Sequence, residues 1–314
     1  MFDRVMFSAK LSDAECEHIA KIHGLQTWSN GACVEYRTER IDNITGINIK
    51  IKNRKLKMSL SLHKYWNRSN FGKLRNDNTF TISEARSAFE MVCFENGLLP
   101  ERVTITNYEI GLNLNVSSTP INYIHKTVNF ATKAVYIDAN YRPNRQRTSE
   151  KYDDIRKYFK MYDKGFEMAS KEFGSKRAAG METSNILRIE TVYRRCTYKA
   201  TDFFTERYIN TILNRFYLDW QNVIFFREIR ADKGARKSEI EMARMIYDNG
   251  VANTADEARK AFKDKKITQK QCRTITDFCK KWGLDSKKHF YQIVSFEEQE
   301  YKTLFYSTLK LCRE

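Results

Sequence analysis

The stretch from Glu109 to Val116 constrains the fold of this 314-residue chain more than any other. Apolar Ile110, Leu112, Leu114 and Val116 alternate with Glu109, Gly111, Asn113 and Asn115. Period two is the mark of a strand with one apolar and one polar face, and Glu109 falls on the polar one. The same parity places Tyr162 and Lys164 opposite Phe159 and Met161, and Arg188 and Glu190 opposite Leu187 and Ile189. If the three strands are neighbours in one sheet, its exposed side gathers two carboxylates, a tyrosine, a lysine and an arginine.

The surrounding sequence reads as an α+β fold: a central, mainly antiparallel β-sheet with helices packed on one face, plus a C-terminal helical region. Short runs at Phe2–Phe7, Cys33–Arg40, Ile44–Lys52 and Lys55–Leu62 have strand character and are parted by Asn, Gly and charged turns. Thr81-Ile82-Ser83-Glu84 is a capping-box pattern that opens a helix ending near Gly97, and Thr119-Pro120 opens a second helix reaching Val128. Strands are expected at Tyr158–Lys164 and Ile186–Arg194, then one long amphipathic helix from Asp202 to Phe225. A change of composition near Arg230–Gly234 divides the chain into domains 1–228 and 229–314. The second contains helices at Ser238–Asp248, Ala255–Lys263 (behind Thr254-Ala255-Asp256-Glu257) and Thr268–Trp282. These are read as a helical appendage packing through Ile275, Phe278, Cys279 and Trp282, or as a helix-turn-helix module.

The balance of 55 Lys+Arg against 39 Asp+Glu gives a formal charge of +16, which favours polyanionic partners. Basic residues concentrate in 50–55, 142–147 and 263–266, and Arg142, Arg145 and Arg147 are the candidate phosphate contacts. No apolar run reaches the ~18 residues that a membrane span needs, and the first residues lack a secretory core, so a soluble protein of the cytoplasm is expected. Seven scattered cysteines without a C-x-x-C pair suit neither a disulfide framework nor a zinc module. No two of the five histidines are separated by one residue. A metal would therefore sit mainly on oxygen ligands, which favours Mg²⁺ or Mn²⁺.

The order of segments is informative. Met58–Trp66, Asn70-Phe71-Gly72, the helix from Thr81, Glu109, Tyr162-Asp163-Lys164-Gly165-Phe166-Glu167 and Leu187-Arg188-Ile189-Glu190 together resemble the gene II replication initiators of filamentous phages. The same order is more distantly similar to the initiators of rolling-circle plasmids. The resemblance covers residues 55 to 225 and leaves the C-terminal third unmatched. It implies that Tyr162 of Y-x-K-x-x-E is a nicking nucleophile and that Glu109 and Glu190 hold the metal. Glu109 stands where the phage proteins carry an aspartate, one methylene shorter.

The implied activity is site-specific nicking and joining of DNA through a phosphotyrosine, in rolling-circle replication in a bacterial host cell. Mg²⁺ or Mn²⁺ would polarise the scissile phosphate while Tyr162 attacks and frees a 3′-OH. Lys164 would lower the phenol pKa, ordinarily ~10, or neutralise the phosphoryl oxygens; Arg188 would hold a neighbouring phosphate, and Glu167 would be a third ligand or a base. Partners would be single-stranded or hairpin origin DNA and a host helicase and polymerase, with no membrane. Two other classes fit the charge: a non-catalytic origin- or operator-binding protein, and an RNA-binding protein that stacks bases on its aromatics.

Overall fold

Alternation at Glu109–Val116 becomes a strand inside a ten-stranded antiparallel sheet. The computed structural model describes residues 1–29, 34–38, 46–130, 133–134, 145–147, 156–232, 234–282, 284 and 289–313, with 133–134 and 145–147 described by backbone alone. The chain begins with β1 (Phe2–Lys10) and α1 (Asp13–Ile22), followed by β2 (Gln26–Ser29), β3 (Val34–Arg37), β4 (Asn48–Lys52) and β5 (Lys55–Ser61). Next come α2 (Leu62–Phe71), α3 (Ile82–Glu95), β6 (Val103–Asn115), α4 (Pro120–Lys126), β7 (Thr127–Phe130), β8 (Lys133–Ala134) and β9 (Arg145–Arg147). Then follow β10 (Lys157–Asp163), α5 (Lys164–Phe173), α6 (Ser175–Ala178), β11 (Ile186–Tyr193), β12 (Tyr198–Lys199), α7 (Ala200–Phe203), α8 (Glu206–Gln221) and β13 (Ile224–Phe225). The chain continues through β14 (Glu228–Ala231), α9 (Lys237–Asn249), α10 (Val251–Lys263), α11 (Gln269–Lys281), β15 (Phe290–Ile293) and α12 (Phe296–Arg313).

The sheet order is β2-β3-β4-β5-β1-β6-β11-β10-β9, with β12 also on β6. The strands of Glu109, Arg188 and Tyr162 are thus adjacent, as the alternation requires. Register fixes which side chains share a face. Phe2, Ile110, Thr191 and Phe159 form one row across the sheet. Helices cover this apolar side: Trp220 of α8 packs on Phe159 and donates its Nε1–H to Thr191 Oγ1 at 2.9 Å, while Phe203 and Phe204 pack on Phe2. Tyr301 of α12 donates to the Trp220 carbonyl at 2.9 Å.

Several expectations are corrected by capping and turn chemistry. The β10 strand stops at Asp163, whose carboxylate accepts the Phe166 N–H at 2.8 Å as a helix N-cap, so Lys164 is the first residue of α5 and not a strand residue. The expected 202–225 helix is interrupted because Thr205 caps α8 through its hydroxyl, and residues 224–225 form a strand with β7. The α4 helix ends at Lys126, and Val128 lies in β7. Thr254 lies inside α10, which begins directly after Gly250 at φ +83°; its hydroxyl donates to Met245 O rather than opening a helix.

Two compact units result: Met1–Phe225 with Glu297–Glu314, and Phe226–Phe296. The division falls after Phe225 and not after 228, where it would cut through β14, and a second one precedes Glu297, because α12 returns to the first unit through buried Tyr301, Phe305, Leu309 and Cys312. The second unit is closed by the antiparallel pair β14–β15 and has its own core of Ile246, Ala255 and Cys279, packed by Ile275, Phe278 and Trp282. Among the described residues no helix is long and apolar enough to cross a membrane.

Candidate active site

The face opposite the α8 layer holds three cross-strand rows: Tyr162–Arg188–Asn113, Lys160–Glu190–Gly111 and Tyr158–Val192–Glu109. Glu190 is their centre and is only 1% exposed. Its Oε1 accepts the Tyr162 O–H at 2.8 Å and the Arg188 Nε–H at 2.8 Å, and its Oε2 lies 2.5 Å from Lys160 Nζ. Lys160 also reaches Glu109 Oε2 at 3.3 Å. All three Arg188 nitrogens are engaged: besides Nε, Nη1 donates to Asn113 Oδ1 at 2.8 Å and Nη2 to Asp3 Oδ2 at 2.7 Å. Asp3 is further held by Asn76 Nδ2 at 3.0 Å and by the Ser61 hydroxyl. Gly111 is required here, since a Cβ would stand 2.8 Å from Glu190 Cγ and 2.6 Å from the Ile189 carbonyl.

Burial and charge set the protonation of each group. Burial pushes carboxyl pKa values up, yet Lys160 and Arg188 together bring Glu190 down to about 2. Asp3 is likewise held well below the carboxylate range, burial being overcome by Arg188. Glu109 goes the other way, raised by burial and by Glu190 against the pull of Lys160. Of the three carboxylates Glu109 is the least compensated, with Lys160 at 3.3 Å as its ion-pair partner, whereas Glu190 has both Lys160 and Arg188. The Tyr162 phenol is raised well above 10, first by burial and then by the Glu190 charge.

The structure thus changes several roles. Lys164 does not share a strand face with Tyr162: its buried ammonium donates to Glu167 Oε2 at 2.7 Å and lies 6.0 Å from the Tyr162 ring. The phenol consequently stays protonated, and the basic group next to it is Glu190. Glu167 pairs with Lys164 and Lys171, which lower its pKa against burial, and it does not join Glu109 and Glu190. Arg188 is 2% exposed and spends its guanidinium inside the protein, so it is a positioning residue for Glu190 rather than a phosphate contact. Backbone register pairs Arg145 with Tyr162 and Arg147 with Lys160; Arg142 lies outside the described residues.

Sequence reading missed Asp3 and Lys160. Lys160 was visible, since its parity matches Tyr162. Asp3 was not, because register shifts between Phe2 and Val5 break the period of β1. Beside Glu109 a cavity of about 290 Å³ is lined by Arg4, Ser59, Asn107, Tyr158 and Arg194, two of them cationic.

Between Glu109 and Glu190 stands the Lys160 side chain, in the place the sequence expectation gives to a divalent cation. Its ammonium lies 3.3 Å from Glu109 Oε2 and 2.5 Å from Glu190 Oε2, and the sheet floor beneath is closed, with Gly111 against the Ile189 carbonyl and Glu190 Cγ. Among the described residues no third carboxylate, histidine or cysteine completes a ligand group. Compared with protein-family models, curated proteins and solved structures, the chain matches none.

Proposed function

We propose that this protein nicks and rejoins single-stranded DNA through Tyr162, as a rolling-circle replication initiator. The observation that carries the reading is the 2.8 Å hydrogen bond from Tyr162 to a carboxylate kept ionised by two cations. A phenol attacks as its proton leaves, and Glu190 Oε1, which accepts the hydrogen bond from the Tyr162 hydroxyl, fixes the direction in which that oxygen is presented. In the step, Tyr162 Oη bonds to the phosphorus and the P–O3′ bond breaks. The phenolic proton is released to solvent, and the departing 3′ oxygen takes a proton from solvent, leaving a 3′-OH that a polymerase can extend. Mg²⁺ or Mn²⁺ held by Glu109 and Glu190 would supply Lewis-acid polarisation of the phosphate. Arg188 fixes Glu190 Oε1 toward the phenol, and Asp3 and Asn113 fix Arg188 in turn.

The test uses labelled single-stranded oligonucleotides tiling the DNA around the protein's own gene. Wild type should form a denaturation-resistant protein–DNA adduct with Mg²⁺ or Mn²⁺, and Tyr162→Phe should form none while binding DNA nearly as well. Adduct formation by Tyr162→Phe at the wild-type rate would overturn the assignment and direct attention to Tyr158. Binding without any adduct would favour a non-catalytic DNA- or RNA-binding protein.

A further inference from the structure

The second unit has a different surface. Between Arg259 and Lys281 stand nine basic residues against two acidic ones, whereas the rest of Phe226–Phe296 is balanced. All nine are exposed. The apolar side of α11 is occupied within the unit: Phe278 packs on Phe290, and Trp282 stacks on Phe290 and meets Tyr247. Its basic side is therefore turned outward.

The pair α10–α11 is joined by a short turn, 264–268, in which Lys265 adopts φ +57°. A non-glycine residue there is under strain, since its Cβ crowds the following carbonyl. Two backbone hydrogen bonds hold it there, Lys265 N–H to the Phe262 carbonyl at 2.9 Å and Lys266 N–H to the Ala261 carbonyl at 2.8 Å, which close the end of α10. Some cations are partly compensated: Asp256 pairs with Arg259, Asp264 with Lys266, and Asp277 with Arg273 and Lys280. Among the described residues no acidic group pairs with Lys260, Lys263, Lys265, Lys270 or Lys281.

We propose that α10, the 264–268 turn and α11 form a duplex-DNA-binding surface, with α11 directed into the major groove and the α10 and turn lysines on the flanking phosphates. B-DNA's major groove admits an α-helix, and a 13-residue helix about 20 Å long suits it. The deep, narrow major groove of duplex RNA does not admit one. The inference stands apart from the Tyr162 chemistry, because it concerns a different unit and a different form of DNA.

The experiment measures anisotropy of a labelled 20-base-pair duplex with the full-length chain at a series of salt concentrations. Lys260→Gln/Lys263→Gln/Lys270→Gln should weaken binding roughly tenfold to a hundredfold and flatten the log K against log salt slope by about 0.9 for each phosphate no longer neutralised. Arg230→Gln/Lys237→Gln, in the balanced part of the same unit, should change neither. Unfolding curves of both variants identify a folding defect. If the first variant fails that control, charge-retaining Lys→Arg changes at the three positions must restore wild-type affinity. An unchanged affinity and slope would overturn the proposal, as would tighter binding of an RNA of equal length that the same substitutions abolish. Adduct formation on single-stranded oligonucleotides, read separately, keeps failure of this surface distinct from failure of Tyr162.

Discussion

The same residue types serve opposite ends in the two units. On the sheet, Lys160, Arg188, Asp3 and Glu190 are nearly buried, and each charge meets a partner of opposite sign. On α10 and α11 the lysines are exposed, and several meet none among the described residues. Position decides the energetics. A buried charge left alone costs several kcal/mol, which fixes its protonation and its geometry. An exposed lysine contributes little to stability but adds directly to the attraction for a polyanion. The first arrangement suits directed chemistry on one bond, and the second suits binding summed over many phosphates.

Removing the central carboxylate should break this contrast most severely. Glu190→Gln leaves Lys160 and Arg188 buried with one partner fewer, and we expect a loss of about 3–5 kcal/mol in denaturant unfolding together with loss of the adduct. The pH dependence has a defined sign. Unfolded Glu190 takes its proton near 4.5 but the folded protein only near 2, so its stabilisation is complete above about pH 4.5 and is lost as pH falls toward 2. The variant should lack that acid limb. Glu109→Gln should have the reverse effect. Its folded pKa is raised, so its contribution is present below 4.5 and lost as pH rises through the folded value. At neutral pH the amide should leave stability unchanged or raise it by up to about 1 kcal/mol. Equal losses from the two substitutions would show that both carboxylates are simple ion-pair partners.

Lys160→Met comes next in size, with a loss of about 2–3 kcal/mol, because Glu109 can relieve the uncovered repulsion by taking up a proton. Here the readout is Mn²⁺ binding. With the ammonium gone, Glu109 and Glu190 should bind Mn²⁺ more tightly than in wild type, and the metal should restore much of the lost melting temperature. Stabilisation of wild type and variant to the same degree would mean that lysine and metal do not compete for one place.

Much of the sheet was legible. Period two set the faces of β6, β10 and β11, and their adjacency followed once their polar sides were required to meet. What escaped was local. A one-residue matter of capping moved Lys164 from strand to helix, because the Asp163 carboxylate offers its own hydrogen bond to the backbone. The bulge in β1 hid Asp3, and with it the reason Arg188 turns inward. The apolar spacing of Tyr301, Phe305, Leu309 and Cys312 was present in the sequence, yet sequence alone could not tell which unit would bury it.

The smallest expected effect belongs to Lys265. At φ +57° its Cβ is strained, and glycine carries no such penalty, so Lys265→Gly should raise stability, by at most about 1 kcal/mol once the extra backbone entropy of glycine is set against the relief. The same change removes one cation from the tip of the turn and should flatten the duplex salt slope by about 0.9 if that lysine meets a phosphate. The two readouts therefore move in opposite senses, which no general folding defect would produce. A gain in stability with an unaltered slope would place the turn outside the DNA contact and confine the surface to the two helices, while a loss of stability would mean that the lysine side chain itself supports the turn.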